Sequence, residues 1–130
     1  MTENERAAAD GQPPDDLIQL YLGLLKKGPT WTPEASSEVK GNQRDHLALL
    51  SRLSRQGHLL LAGPTPSDHN LRGILIIQAE TEADARAFFQ DDAHIQSNRL
   101  ILEIHPLFLS KAKLTQPLIQ QDGTGSGEQS

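Results

Sequence analysis

The chain has no cysteine among its 130 residues. That absence removes disulfides, thiolate zinc sites, iron–sulfur ligation and a cysteine nucleophile together, and it accords with a reducing compartment. Long apolar runs are also missing, so no membrane-spanning segment is expected. Residues 1–16 lack the basic and apolar regions of a secretory signal, which makes the cytoplasm the expected location. Positive charge is in deficit: 12 Lys and Arg stand against 17 Asp and Glu, a formal net charge of -5. An acidic surface repels phosphate backbones, so nucleic acid is not an expected partner. The histidines show no ligand spacing and no serine sits in a nucleophile elbow. The one glycine-rich run, residues 123–127, lies in a low-complexity tail, away from any strand–loop–helix context. Neither a metal nor an organic cofactor is expected.

What is present reads as one small α+β domain over residues 17–109. It lies between a polar arm (1–16) and a flexible tail (110–130), both poor in apolar pattern. Residues 17–25 are apolar, short and bounded by proline and Lys-Lys-Gly-Pro, the pattern of a strand. In that strand Leu20, Leu22 and Leu24 share one face; Gln19, Tyr21, Gly23 and Leu25 share the other. A loop over 28–40 carries Trp31. The first helix is expected over 42–56, capped by Asn42 and stopped by Gly57, with His46, Leu49, Leu50 and Leu53 on one stripe. Strands at 58–63 and 71–79, joined by a short polar turn, make an antiparallel hairpin. Thr81, with Asp84 three residues on, caps a second helix that buries Ala85, Phe88 and Phe89 and ends at Asp91-Asp92. Residues 99–107 form the last strand.

The order β-α-β-β-α-β is the ferredoxin-like arrangement, with two helices on one face of a four-stranded antiparallel sheet. The other face is expected to carry Gln19, Tyr21, His58, Arg72, Gln78, Glu103 and His105 among apolar residues. Such a mixed face is either solvated or half covered by a second copy that leaves a pocket between the sheets.

Several segments, in this order and spacing, resemble the YCII-related (YciI-like) family over about residues 17–107. They are His46-Leu47-Ala48-Leu49-Leu50, the run 59–64 (LLLAGP) after Gly57, Leu71-Arg72-Gly73-Ile74, Asp91-Asp92-Ala93, Arg99-Leu100 and His105-Pro106. The stretch 24–34 (LLKKGPTWTPE) is similar to the longer members. Ala93 stands where members usually have proline, and Asn98 where they usually have glycine. The resemblance implies a dimeric α+β barrel and a His–Asp pair at the active site, here His46 and Asp92, with Asp91 one residue away as the alternative. It also implies a lyase chemistry, since at least one member eliminates HCl from a chlorinated hydroxyhydroquinone.

Read from the residues alone, His46 is either a core histidine or a general base. Asp91 and Asp92 are either a solvated acidic turn opposing a helix C-terminus or a carboxylate that orients an imidazole. Trp31 is a hydrophobic plug or a pocket wall. Arg72 binds a substrate anion or pairs with Glu103. The expected reading is a cofactor-independent, lyase-type homodimeric enzyme acting on a small molecule. His46 and Asp92 are the catalytic candidates; Trp31, Arg72, Glu103 and His105 are the substrate-contact candidates. The alternative is a non-catalytic dimeric module that binds or senses a small ligand.

Overall fold

A computed structural model describes residues 16–66 and 69–119. The expected N-terminal arm, up to residue 15, and the end of the tail lie outside them. Alternation of apolar side chains draws out β1 (Leu17–Lys27). It is followed by the long helix α1 (Ser37–Arg55), the hairpin β2 (Leu59–Pro64) and β3 (Leu71–Ile77), then α2 (Glu82–Ala87) and α3 (Ala93–Gln96). β4 (Leu100–Ser110) and a helical turn, α4 (Lys111–Leu114), complete the described chain. The strands form one sheet in the order β2-β3-β1-β4. β3 runs antiparallel to both β2 and β1, and the whole sheet is antiparallel. This is the ferredoxin-like βαββαβ topology.

Two compact units divide the chain. One is Gln19–Leu107; the other, among the described residues, consists of 16–18 and 108–119. Within the second, Ser110 caps α4 by accepting from Lys113 N–H. Its hydroxyl donates to Asp16 Oδ2 at 2.6 Å, and Lys111 N–H donates to the Asp16 carbonyl at 2.8 Å. Residues Lys111–Leu114, at the start of the segment read from sequence as the tail, form one helical turn.

In the larger unit the core lies between the sheet and the helices. Leu49 and Leu53 of α1, with Ala85 and Phe89, pack on Tyr21, Leu25, Leu59, Leu75, Ile77, Leu102 and Ile104. Tyr21 thus faces the helices, not the uncovered side as expected. Its neighbour across the sheet is Ile77, and both belong to the same core. His58 also leaves the uncovered face: it precedes β2 and stacks on Phe88 with ring centroids 4.1 Å apart. The opposite face carries Leu22, Leu24, Ile74, Ile76 and Leu61, placed there by register, together with Glu103 and His105.

Helix boundaries depart from expectation in one consequential place. The cap of α1 is Ser36, whose Oγ accepts from Val39 N–H at 3.2 Å. Asn42 is consequently interior to the helix, because an earlier Ser cap with Glu38 in the first turn is available. Thr81 does cap α2, accepting from Asp84 N–H at 3.0 Å. Helix α2 stops at Ala87, and a turn leads to a new cap at Asp92.

Leu53 is 2% exposed in the middle of this core, whereas Leu50 is only part-buried at its margin. Leu53→Ala is expected to lower unfolding free energy by about 2–5 kcal/mol, and Leu50→Ala by clearly less. Urea denaturation of the two variants measures this, and the reverse ranking would mean that the core is misplaced.

Candidate active site

Residues three apart on a helix share a face, so α1 presents Gln43 and His46 side by side. His46 lies well inside the helix, not in its first turn as the Asn42 cap implied. Opposite it, the chain turns at Asp92, which is the N-cap of α3. Asp92 Oδ1 accepts from the N–H groups of His94 at 2.9 Å and Ile95 at 3.2 Å. Its other oxygen, Oδ2, bonds His46 Nδ1. The expectation that this aspartate opposes a helix C-terminus is reversed: a carboxylate at a helix start is favoured. Asp91, next to it, is exposed.

Asp92 is 1% exposed, the most buried charged group described. Burial pushes its carboxyl up. The His46 hydrogen bond and charge, and the Ile95 and His94 N–H groups, together outweigh that and hold it below the ordinary carboxylate value. The departure at residue 93 from the usual proline therefore leaves the loop well anchored, because Asp92 secures it through its own cap.

A second histidine, not singled out from the sequence, completes the cluster. His94 is 3% exposed and its Nε2 lies 2.7 Å from Gln43 Oε1. Its ring centroid is 5.1 Å from that of His46. Burial first, and then the neighbouring His46 charge, lower its pKa and favour the neutral ring. Its Nδ1 is buried with no hydrogen-bond partner among the described residues. A spacing signal existed, since Asp92-x-His94 places both within one cap, but nothing in the sequence paired His94 with Gln43.

These groups border a cavity of about 460 Å³ between α1 and the sheet. Space opens there because the sheet contributes Ala62, Gly63 and Gly73, with little or no side chain, beneath His46, Leu47 and Leu50. Leu25 and Leu75 form an apolar floor, and Trp31, Arg72, His94 and Arg99 are among the remaining walls. The cavity is lined within a single chain, on the side of the sheet that α1 covers.

Of the expected substrate contacts, the structure brings Trp31 and Arg72 to this cavity together with His46. Glu103 and His105 are not among its walls. They stand on the uncovered sheet face, where Glu103 bonds His105 Nε2 and pairs with Lys26 Nζ at 2.7 Å. The Lys26 hydrogen bond, then that of His105, lowers the Glu103 pKa. An Arg72–Glu103 pair is replaced by Lys26–Glu103, because β1 and β4 are neighbours while β3 is one strand further away. Among the described residues no group of three or more His, Asp or Glu is placed to hold a metal ion, and no helix is long and apolar enough to cross a membrane.

Comparison with known proteins agrees with this architecture. No curated protein sequence matches the chain. Among solved structures, 5-chloro-2-hydroxyhydroquinone dehydrochlorinase (TftG) from Burkholderia phenoliruptrix AC1100, in complex with 2,5-dihydroxybenzoquinone, superposes with a TM-score of 0.50. It is 21% identical, over 66% of this chain and 90% of that one, a likeness that shows the fold. The family model described as YCII-related domain matches residues 20–106, which contain the whole His46–Asp92 site and its cavity. The chain therefore belongs to the YCII-related domain family.

Proposed function

We propose that the protein is a cofactor-independent, lyase-type enzyme in which His46 is the general base and Asp92 its positioning partner. The observation that carries this reading is the buried His46–Asp92 bond at the wall of a cavity large enough for a small metabolite. Asp92 accepts the Nδ1–H of the imidazole, which leaves the Nε2 lone pair as the proton acceptor. In an elimination, Nε2 takes a proton from carbon, the C–H electron pair forms the new double bond, and the leaving group departs with its own bonding pair. The imidazolium so formed is stabilised by the adjacent carboxylate. Trp31 and Arg72 would contact the substrate. The fold shared with a dehydrochlorinase supports this class of reaction.

The protein would act as a homodimer, joined through the uncovered sheet face. That face presents Leu61 at 60% exposure and Ile74 at 38%, apolar side chains that a second sheet would cover. A cytoplasmic location fits a chain without cysteine.

Three measurements bear on this reading. The first follows chloride release and solvent-deuterium incorporation over a panel of hydroxylated and carbonyl-bearing aromatics that includes 5-chloro-2-hydroxyhydroquinone. At least one compound should turn over, and His46→Gln should slow it about 10²–10⁴-fold. Binding without turnover would mean a ligand-binding module. The second is light scattering, which should give twice the 14.3 kDa chain mass, with Leu61→Asp shifting it toward one chain; a wild-type monomer at high concentration would remove the dimer.

The third concerns pH. The folded pKa of Asp92 lies below its unfolded value, so the unfolded state binds more protons there as pH falls. The stabilisation is fully present above the unfolded value, about 3.9, and is lost as pH falls through the lower folded one. Wild type should therefore lose stability in acid more steeply than Asp92→Asn, as followed by circular dichroism. Parallel acid limbs would show that Asp92 has no stabilising partner in the folded state.

A further inference from the structure

Gln43 is exposed on α1, yet its side chain is tied to a buried group. The Nε2 of His94, a residue only 3% exposed, lies 2.7 Å from Gln43 Oε1. Among the described residues that is the one hydrogen bond the Gln43 side chain makes. An exposed glutamine ordinarily keeps its rotamer freedom; this one is anchored.

The chemistry of the two side chains decides which way the amide points. An amide oxygen only accepts, so with Oε1 toward the ring the proton sits on His94 Nε2 and Nδ1 carries a bare lone pair. With the amide turned over, Nε2 would accept and the ring proton would move to Nδ1. That atom is buried with no partner among the described residues, and a buried N–H left without an acceptor is rarer than an under-used acceptor. The first arrangement is therefore favoured. It needs a neutral ring, since imidazolium carries a proton on both nitrogens. Burial first, then the His46 charge, favours that neutral ring against the opposing pull of Asp92. The NH2 of the Gln43 amide is thus left to donate elsewhere.

His94 is itself held. Its backbone N–H donates to Asp92 Oδ1 at 2.9 Å, Asp92 Oδ2 bonds His46 Nδ1, and the two imidazole centroids stand 5.1 Å apart. One carboxylate therefore fixes the base directly and the amide through His94. Gln43 and His46 are three residues apart on α1, a spacing of about 5–6 Å between Cβ atoms, and both line the cavity. A hydrogen-bond donor and a proton acceptor are presented there side by side.

We infer that Gln43 contacts the substrate, its amide N–H holding a carbonyl oxygen next to the C–H that His46 deprotonates, with His94 as the positioning residue for that amide. The substrate class is then a small carbonyl compound with an acidic hydrogen on the neighbouring carbon. The inference rests on reading the cavity as the substrate site and His46 Nε2 as the proton acceptor. As Nε2 takes the proton, the C–H pair forms the new C–C double bond and the carbonyl pair moves onto oxygen. The Gln43 proton stays on nitrogen and hydrogen-bonds the enolate oxygen.

Acetophenone and α-methylstyrene test it, because they share a shape and differ by an oxygen in place of a CH2. Both are titrated into the 15N-labelled full chain and followed by NMR. Acetophenone should move the Gln43 side-chain NH2 signals downfield, and α-methylstyrene should not. Gln43→Met should weaken acetophenone about threefold to tenfold and leave α-methylstyrene unchanged. His94→Phe, which keeps a ring and removes its N–H, should show the same selectivity, whereas a merely structural role would weaken both probes alike. Ring 15N shifts should give His94 as the neutral Nε2–H form. A Nδ1–H ring, unmoved Gln43 signals, equal losses for both probes, or no binding of either would overturn the inference. Exchange of the acetophenone methyl hydrogens in deuterated solvent reads the base separately. Selective binding through Gln43 without exchange supports the Gln43 contact and counts against His46 as base; exchange that Gln43→Met leaves intact does the reverse.

Discussion

The bond between His46 and Asp92 organises the site, and Asp92 can make it only because its other oxygen is already committed. By capping α3 through the N–H groups of His94 and Ile95, the carboxylate is fixed in position before the imidazole is considered. A buried carboxylate without such partners would cost several kcal/mol and would protonate instead. Here three donors satisfy it, and the charge remains. The same cap sets the direction of α3, and with it the burial of His94 against Gln43. One residue thus links the short helix, the second histidine and the first.

The cavity beside this pair follows from what the sheet withholds. Where most of the sheet's inner face supplies leucine and isoleucine to the core, the strand ends under α1 supply Ala62, Gly63 and Gly73. Helix α1 cannot settle into that space, because Leu49 and Leu53 hold it on the larger residues further along. The opening is rimmed by cationic and aromatic groups from two segments joined through Gly28 and Asn98. The cavity thus joins an apolar floor to the buried His46–Asp92 pair and to a rim with Trp31, Arg72 and Arg99.

Opposite, the uncovered sheet face joins apolar residues from β1, β2 and β3 to a charged group on β4. The Lys26–Glu103–His105 cluster lies there, so this face is not simply hydrophobic.

Much was legible along the chain itself. The βαββαβ order, the hairpin, the Thr81 cap and the stripe through His46, Leu49 and Leu53 are local patterns, governed by periods of 2 and 3.6 and by turn chemistry. Other features were decided by tertiary structure. Two competing caps, Ser36 and Asn42, are both acceptable locally. Tyr21 could face either side until the helices covered one. Glu103 found Lys26 and not Arg72, because strand order is a property of the whole sheet. That Asp92 rather than Asp91 meets His46, and that His94 joins them, depends on where a single short helix begins. Sequence patterns report which face a residue occupies on its own element; which elements lie side by side is settled only when their apolar faces are buried together.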